Sequence, residues 1–219
     1  MPVESIKNKE IRMEIILKCL KSEYPDAKCS LEYKSAFQLL VATILSAQCT
    51  DERVNRVTKK LFKKYQTPED FDILSLNSLK QEIYSTGFYN NKAKNIKNMV
   101  SVLVEKYNGD LPASIDKLVK LPGVGRKTAN VVLGTVYKIP SLVVDTHVTR
   151  ISNLLKFVNI VDAVKIEKQL SLIVNKSDWI IYAHLMIDHG RAVCIANRPQ
   201  CYKCIISKYC PSNKGLQNE

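Results

Sequence analysis

The stretch KLPGVGRKTAN, residues 120–130, decides how this chain is read. Two glycines stand two apart, just before an Arg-Lys pair, where a helical pattern begins. Glycine reaches positive φ and lets another group approach the backbone closely. A helix start offers N–H groups without intrahelical partners and the positive end of the helix dipole. The stretch therefore reads as a tight turn between two helices, a helix–hairpin–helix over about residues 115–135. Leu121 and Val124 anchor the turn to the core. Gly123 and Gly125 expose backbone N–H groups that a DNA phosphate can approach, with Arg126 and Thr128 beside them. A plain corner between two helices gives the same pattern with no ligand.

Lys127 is the second residue after Gly125. A neutral lysine amine is a nucleophile, and a helix start, a neighbouring cation and desolvation all favour that form. The alternative is an ordinary cation holding a phosphate. The stretch VVDTHVTR, residues 143–150, separates the two. Asp145 follows an apolar extended segment and opens a helix, so alone it reads as an N-cap. An amine attacking a sugar carbon also needs a carboxylate, to stabilise positive charge and shuttle protons. Lysine with aspartate is what base excision from DNA requires.

Seven cysteines are unevenly spread: Cys19, Cys29 and Cys49 are scattered, while Cys194, Cys201, Cys204 and Cys210 fall within 17 residues. The spacing C-x6-C-x2-C-x5-C, followed by Pro211, suits four thiolates on one loop. Zinc sites usually show two separated C-x2-C pairs, and only one is present, so the pattern favours a [4Fe-4S] cluster over zinc. None of the three histidines, His147, His184 and His189, forms a metal-binding pair at helical spacing. They read as structural or solvent-facing.

Outward from these motifs the chain is helical throughout. Ile11, Ile15, Ile16 and Leu20 mark one helix; residues 37–45 form an almost wholly apolar one. Val54, Val57, Leu61 and Phe62 make the inner stripe of the next, with Arg53, Arg56, Lys59, Lys60, Lys63 and Lys64 outside. Further helices are expected over 76–85, 93–107, 115–119, 128–136, 146–157, 162–172 and 179–188. No β alternation is convincing, so the fold class is all-α. TGFYNNKAKNI, residues 86–96, echoes LPGVGRKTANV, residues 121–131, and Lys92 occupies the place of Lys127. The 33 Lys and Arg exceed the 21 Asp and Glu, a net charge of +12 that favours a polyanionic partner. No apolar run approaches the roughly 18–20 residues of a membrane span, and the polar N-terminus does not read as a signal peptide. A soluble, intracellular protein is expected.

Taken together, LPGVGRKTAN, VDTHVTR and HGRAVCIANRPQCYKCIISKYC resemble the bacterial endonuclease III family, over about residues 9–210. The resemblance implies a DNA glycosylase and apurinic/apyrimidinic lyase that removes oxidised pyrimidines such as thymine glycol from duplex DNA. It implies that Lys127 attacks C1′ and that Asp145 is the essential carboxylate. Gln48, in ILSAQCTD (residues 44–51), would enter the gap left by the flipped nucleotide, and Phe88 would wedge the opposite strand, where the family usually has leucine. Cys194, Cys201, Cys204 and Cys210 would hold the [4Fe-4S] cluster. Between the first two of these the family often carries several basic residues. Here only Arg198 stands there, leaving more DNA contact to Arg191, Lys203 and the hairpin. The implied fold is two α domains flanking a DNA-binding cleft: a six-helix barrel over 29–139, and a discontinuous domain of 1–28 and 140–219 carrying Asp145 and the cluster loop. A monomer in the bacterial cytoplasm, associated with the nucleoid, follows from the same likeness.

Two rivals share parts of this pattern. Adenine glycosylases lack the lysine and need a carboxylate shortly before the glutamine segment; Val41 to Ala47 contains none. A non-catalytic DNA-binding iron–sulfur module has no use for both Lys127 and Asp145.

Overall fold

A computed structural model describes residues 4–213. These are helical, with no strand among them. The chain separates into two compact units, Ser30–Ile139 and Met1–Cys29 with Pro140–Glu219. No described helix is long and apolar enough to cross a membrane.

The continuous unit holds seven α-helices. Helix α2 (Ala36–Leu45) is its centre, buried at every residue but the first. It is so apolar because neighbours cover it all round. Ser35 caps it, accepting from the Gln38 N–H at 3.2 Å. Helix α3 (Asp51–Lys64) starts on a Thr50 cap and buries Val54, Val57 and Leu61, as the stripe in the sequence requires. Helix α4 (Pro68–Ile73) is short and carries a reciprocal capping box between Thr67 and Asp70. Its Phe71 meets Phe37 of α2 edge-on, ring centres 5.1 Å apart. Helix α5 (Leu76–Ile83) runs into a 3-10 turn, Tyr84–Thr86, and then into α6 (Tyr89–Tyr107). Helix α7 (Ile115–Leu118) and α8 (Arg126–Thr135) form the hairpin, and α8 packs on α2.

The discontinuous unit is built on α1 (Ile6–Glu23), α9 (Thr146–Leu154), α10 (Ala163–Leu170) and α11 (Trp179–Ala192). Met13, Ile16, Leu20, Val148, Tyr182 and Met186 are fully buried between them. The buried Tyr182 and Ser152 hydroxyls bond at 2.8 Å. Arg12 holds the N-terminal helix to later parts of the chain. It pairs with Glu4, donates to the carbonyls of Leu155 and Tyr209, and lies over the Phe157 ring at 4.1 Å.

Candidate functional site

The hairpin turn is fixed by Gly123. Its φ is +76°, and a Cβ there would stand 2.7 Å from Cβ of Asn95 on α6. No other residue meets both demands. Leu121 and Val124 are buried, and the Val124 N–H already donates to the Leu121 carbonyl at 3.1 Å. Leu121 and Val124 are also expected among the DNA-contacting residues of the hairpin; their side chains face the core, which leaves their backbone as the part that a phosphate can meet.

Gly125 is the N-cap of α8 and supplies no side-chain cap. The first intrahelical bond is from the Ala129 N–H to the Gly125 carbonyl. The N–H groups of Arg126, Lys127 and Thr128 therefore fall at the helix start, where no intrahelical carbonyl reaches them. Helices α1 to α5, α9 and α10 carry a side-chain cap; α6, α7, α8 and α11 do not, and of these α8 is the one that starts on a glycine. Lys127 and Arg126 are exposed, and Thr128 half-buried. The desolvation expected around Lys127 is thus not supplied by the protein's own packing.

Two further turns stand out in the same unit. Gln48, between α2 and α3, and Phe88, at the start of α6, are exposed and have φ of 53° and 49°. Both lie in the left-handed region, which is unfavourable for L side chains and worst for bulky ones. Lys92 is not a spare nucleophile, despite matching Lys127 in the echo. It is buried, and its ammonium donates to the carbonyls of Leu45 and Thr86, each at 2.8 Å.

In the other unit Asp145 caps α9, accepting from the Val148 N–H at 2.8 Å, and is half-buried. The bond uses Oδ1, so capping leaves a second carboxylate oxygen for other work.

Cys194, Cys201, Cys204 and Cys210 line one cavity of about 60 Å³, walled by Ile151, Leu155 and Ile206. Among the described residues no group of three or more His, Cys, Asp or Glu is arranged to hold a single metal ion. A single water takes about 10–15 Å³ on this measure, so the cavity suits a group of several atoms. Burial pushes the Cys194 and Cys210 thiols up, and Cys204 up to about 11. Four free thiolates in such a place are unfavourable unless a cation bound to them neutralises their charge. The sulfurs also meet donors. Arg150 Nη1 donates to Cys194 Sγ at 3.5 Å, and the Ile206 and Ser212 N–H groups bond Cys204 and Cys210. The donor set and the cavity fit a [4Fe-4S] cluster.

The sequence does not single out Arg150, and it marks His189 only as structural or solvent-facing. His189 is buried, and burial first and then Arg150 hold its pKa down to about 4, so it is neutral. Its Nδ1 lies 3.1 Å from the Tyr24 hydroxyl and its Nε2 3.6 Å from Cys204 Sγ. With the proton on Nε2, Tyr24 donates to Nδ1 and the ring N–H faces the sulfur. Chain distance hides this: Tyr24, Arg150 and His189 stand far from one another in sequence. Arg191, Arg198 and Lys203 are exposed near the same loop.

Residues 41–176 match the family model described as HhH-GPD superfamily base excision DNA repair protein. Endonuclease III of Bacillus subtilis (strain 168) is 46% identical over 200 residues, 91% of each chain. A non-covalent complex of endonuclease III with DNA superposes with a TM-score of 0.90 at 44% identity, covering 96% of this chain and 99% of that one. A trapped covalent endonuclease III–DNA intermediate gives the same TM-score and identity over 95% and 99%.

Proposed function

This chain belongs to the endonuclease III family of the HhH-GPD superfamily, and on that premise we propose how it works as a bifunctional DNA glycosylase and apurinic/apyrimidinic lyase of base excision repair. The observation that carries the reading is the start of α8: an uncapped helix N-terminus behind two glycines, with Lys127 exposed in its first turn. The N–H groups at that start and the helix dipole bind the DNA phosphate, which needs no base contact.

The substrate is duplex DNA with an oxidised pyrimidine flipped out of the stack. Lys127 Nζ attacks C1′ of the flipped nucleotide. The C1′–N bond breaks and the base leaves with its electron pair and a proton. Sugar ring opening leaves a protonated imine between Lys127 and C1′. Loss of a C2′ proton then expels the 3′ phosphate and cuts the strand, and water adds at C1′ to break the C1′–Nζ bond, freeing Lys127 and leaving an unsaturated aldehyde. The carboxylate of Asp145 stabilises positive charge on the sugar and shuttles protons. Gln48 fills the gap in the helix, and Phe88 separates the bases on the opposite strand.

Cys194, Cys201, Cys204 and Cys210 would hold a [4Fe-4S] cluster, which when bound would cross-link the loop through iron–thiolate bonds. Arg191, Arg198 and Lys203 contact phosphates beside it. The protein works as a monomer on chromosomal DNA in the cytoplasm.

The test is strand cleavage of a duplex holding one thymine glycol. Wild-type protein releases the base and nicks the strand, leaving an unsaturated aldehyde on the 3′ end. Base release without a nick would instead indicate a monofunctional glycosylase.

A further inference from the structure

Lys92 has no part in the reaction above, yet it is only 5% exposed. Its ammonium is held by two carbonyl oxygens, those of Leu45 and Thr86, and among the described residues no carboxylate pairs with it. Burial disfavours its charge, and Cys49 opposes that. A buried cation held only by dipoles is expensive, and an apolar side chain of similar length would fill the space without that cost. What the ammonium supplies is the pair of bonds.

Those bonds end on two particular places. Leu45 is the last residue of α2, three before Gln48. Thr86 ends the 3-10 turn, two before Phe88. A cation at the C-terminus of α2 also offsets the negative end of its dipole. Thr86 is itself buried, and its hydroxyl donates to the Ile83 carbonyl at 2.8 Å, so the second anchor is firm. Downstream of each anchor the chain enters a left-handed conformation at an exposed residue, Gln48 or Phe88. Such conformations persist only where their surroundings enforce them.

We propose that Lys92 is a positioning residue that clamps the Gln48 turn to the Phe88 turn, so that both side chains enter the duplex together at the flipped nucleotide. The proposal rests on the roles given above to Gln48 and Phe88. It also accounts for the echo in the sequence. The same lysine position is turned inward as a strut in the first copy and outward at the helix start in the second.

The test is a thermodynamic cycle read by fluorescence anisotropy. Binding is measured to a duplex with a tetrahydrofuran abasic analogue and to the same duplex undamaged, at one salt concentration. Lys92→Met is expected to weaken binding to the abasic analogue at least ~10-fold while leaving undamaged DNA within ~2-fold. Lys92→Arg keeps donors for both carbonyls and is expected to restore binding to within ~3-fold. Added to Gln48→Ala/Phe88→Ala, Lys92→Met is expected to cost nothing beyond ~2-fold, because it acts through those two residues. Lys92→Gln replaces Lys92→Met if the latter melts below the assay temperature. An unchanged affinity in Lys92→Met, a fully additive loss in the triple variant, equal losses on both duplexes, or no rescue by arginine each overturn the clamp. If Gln48→Ala/Phe88→Ala binds the abasic analogue as wild type does, the roles of the two turns fail as well. If that variant loses binding and Lys92→Met does not, the clamp alone fails.

Discussion

Phe88 combines three features: an aromatic side chain, 64% exposure and a left-handed backbone. A non-glycine residue in that conformation costs roughly 1–2 kcal/mol, and an exposed ring recovers little of it by packing. The strain is consistent with a residue kept for contact with DNA. Phe88→Gly is therefore expected to leave stability unchanged or raise it by up to about 1 kcal/mol in urea unfolding, even after the entropy glycine adds to the unfolded chain. Under the wedge role proposed for Phe88, the same variant is expected to lose at least ~10-fold in binding to an abasic analogue. Gly123 behaves in the opposite way. Its positive φ and the nearby Asn95 Cβ leave no room for a methyl group. Gly123→Ala is expected to destabilise the protein by about 2–4 kcal/mol, and DNA binding falls with it. A Gly123→Ala protein that melts like wild type would show that the hairpin can re-form around the methyl group.

In the mechanism proposed above, helix α8 is the element on which the chemistry turns, and its start is where fold and function compete. A side-chain cap at Gly125 would stabilise the helix and occupy N–H groups the phosphate needs. Gly125 has φ of −85° and open space around its Cα, so a side chain is tolerated there. Gly125→Asp is expected to raise stability by a few tenths of a kcal/mol as a cap and by about 0.3–1 kcal/mol through its charge at the helix start, and to weaken duplex binding at least ~10-fold at low salt. The two readings come from one urea titration and one binding isotherm. Much of this element was legible in the sequence: the glycines, the turn and the helix after it. The start was expected at Thr128 and lies at Arg126, because Gly125 is an N-cap without the usual Ser, Thr, Asp or Asn signal. That shift puts Lys127 inside the first turn. Helix α4 went unread because six residues are too few for periodicity to show, although Thr67, Pro68 and Asp70 spell its start. The fully apolar α2 and the striped α3 were readable since burial on all sides or one side leaves a direct trace. The Lys92 bonds and the Tyr24–His189–Cys204 chain left no trace, because their partners are backbone carbonyls or residues remote in sequence.

For the whole molecule, the net charge of +12 makes salt the simplest probe of DNA binding. The logarithm of the association constant is expected to fall linearly with the logarithm of salt, by roughly 0.9 per phosphate neutralised. A salt-independent affinity would mean the basic surplus does not serve DNA. The cysteine loop is tested by metal analysis of freshly purified protein. Iron and sulfide in near-equal amounts with broad visible absorbance are expected, and Cys194→Ser is expected to lose both colour and stability. One zinc per chain and no colour would contradict the cluster. Lys127 as the nucleophile is tested by borohydride trapping on thymine glycol DNA. A covalent protein–DNA adduct is expected in wild type and none in Lys127→Ala. An adduct that survives in Lys127→Ala, or none in a wild-type protein that binds the lesion tightly, would contradict that role.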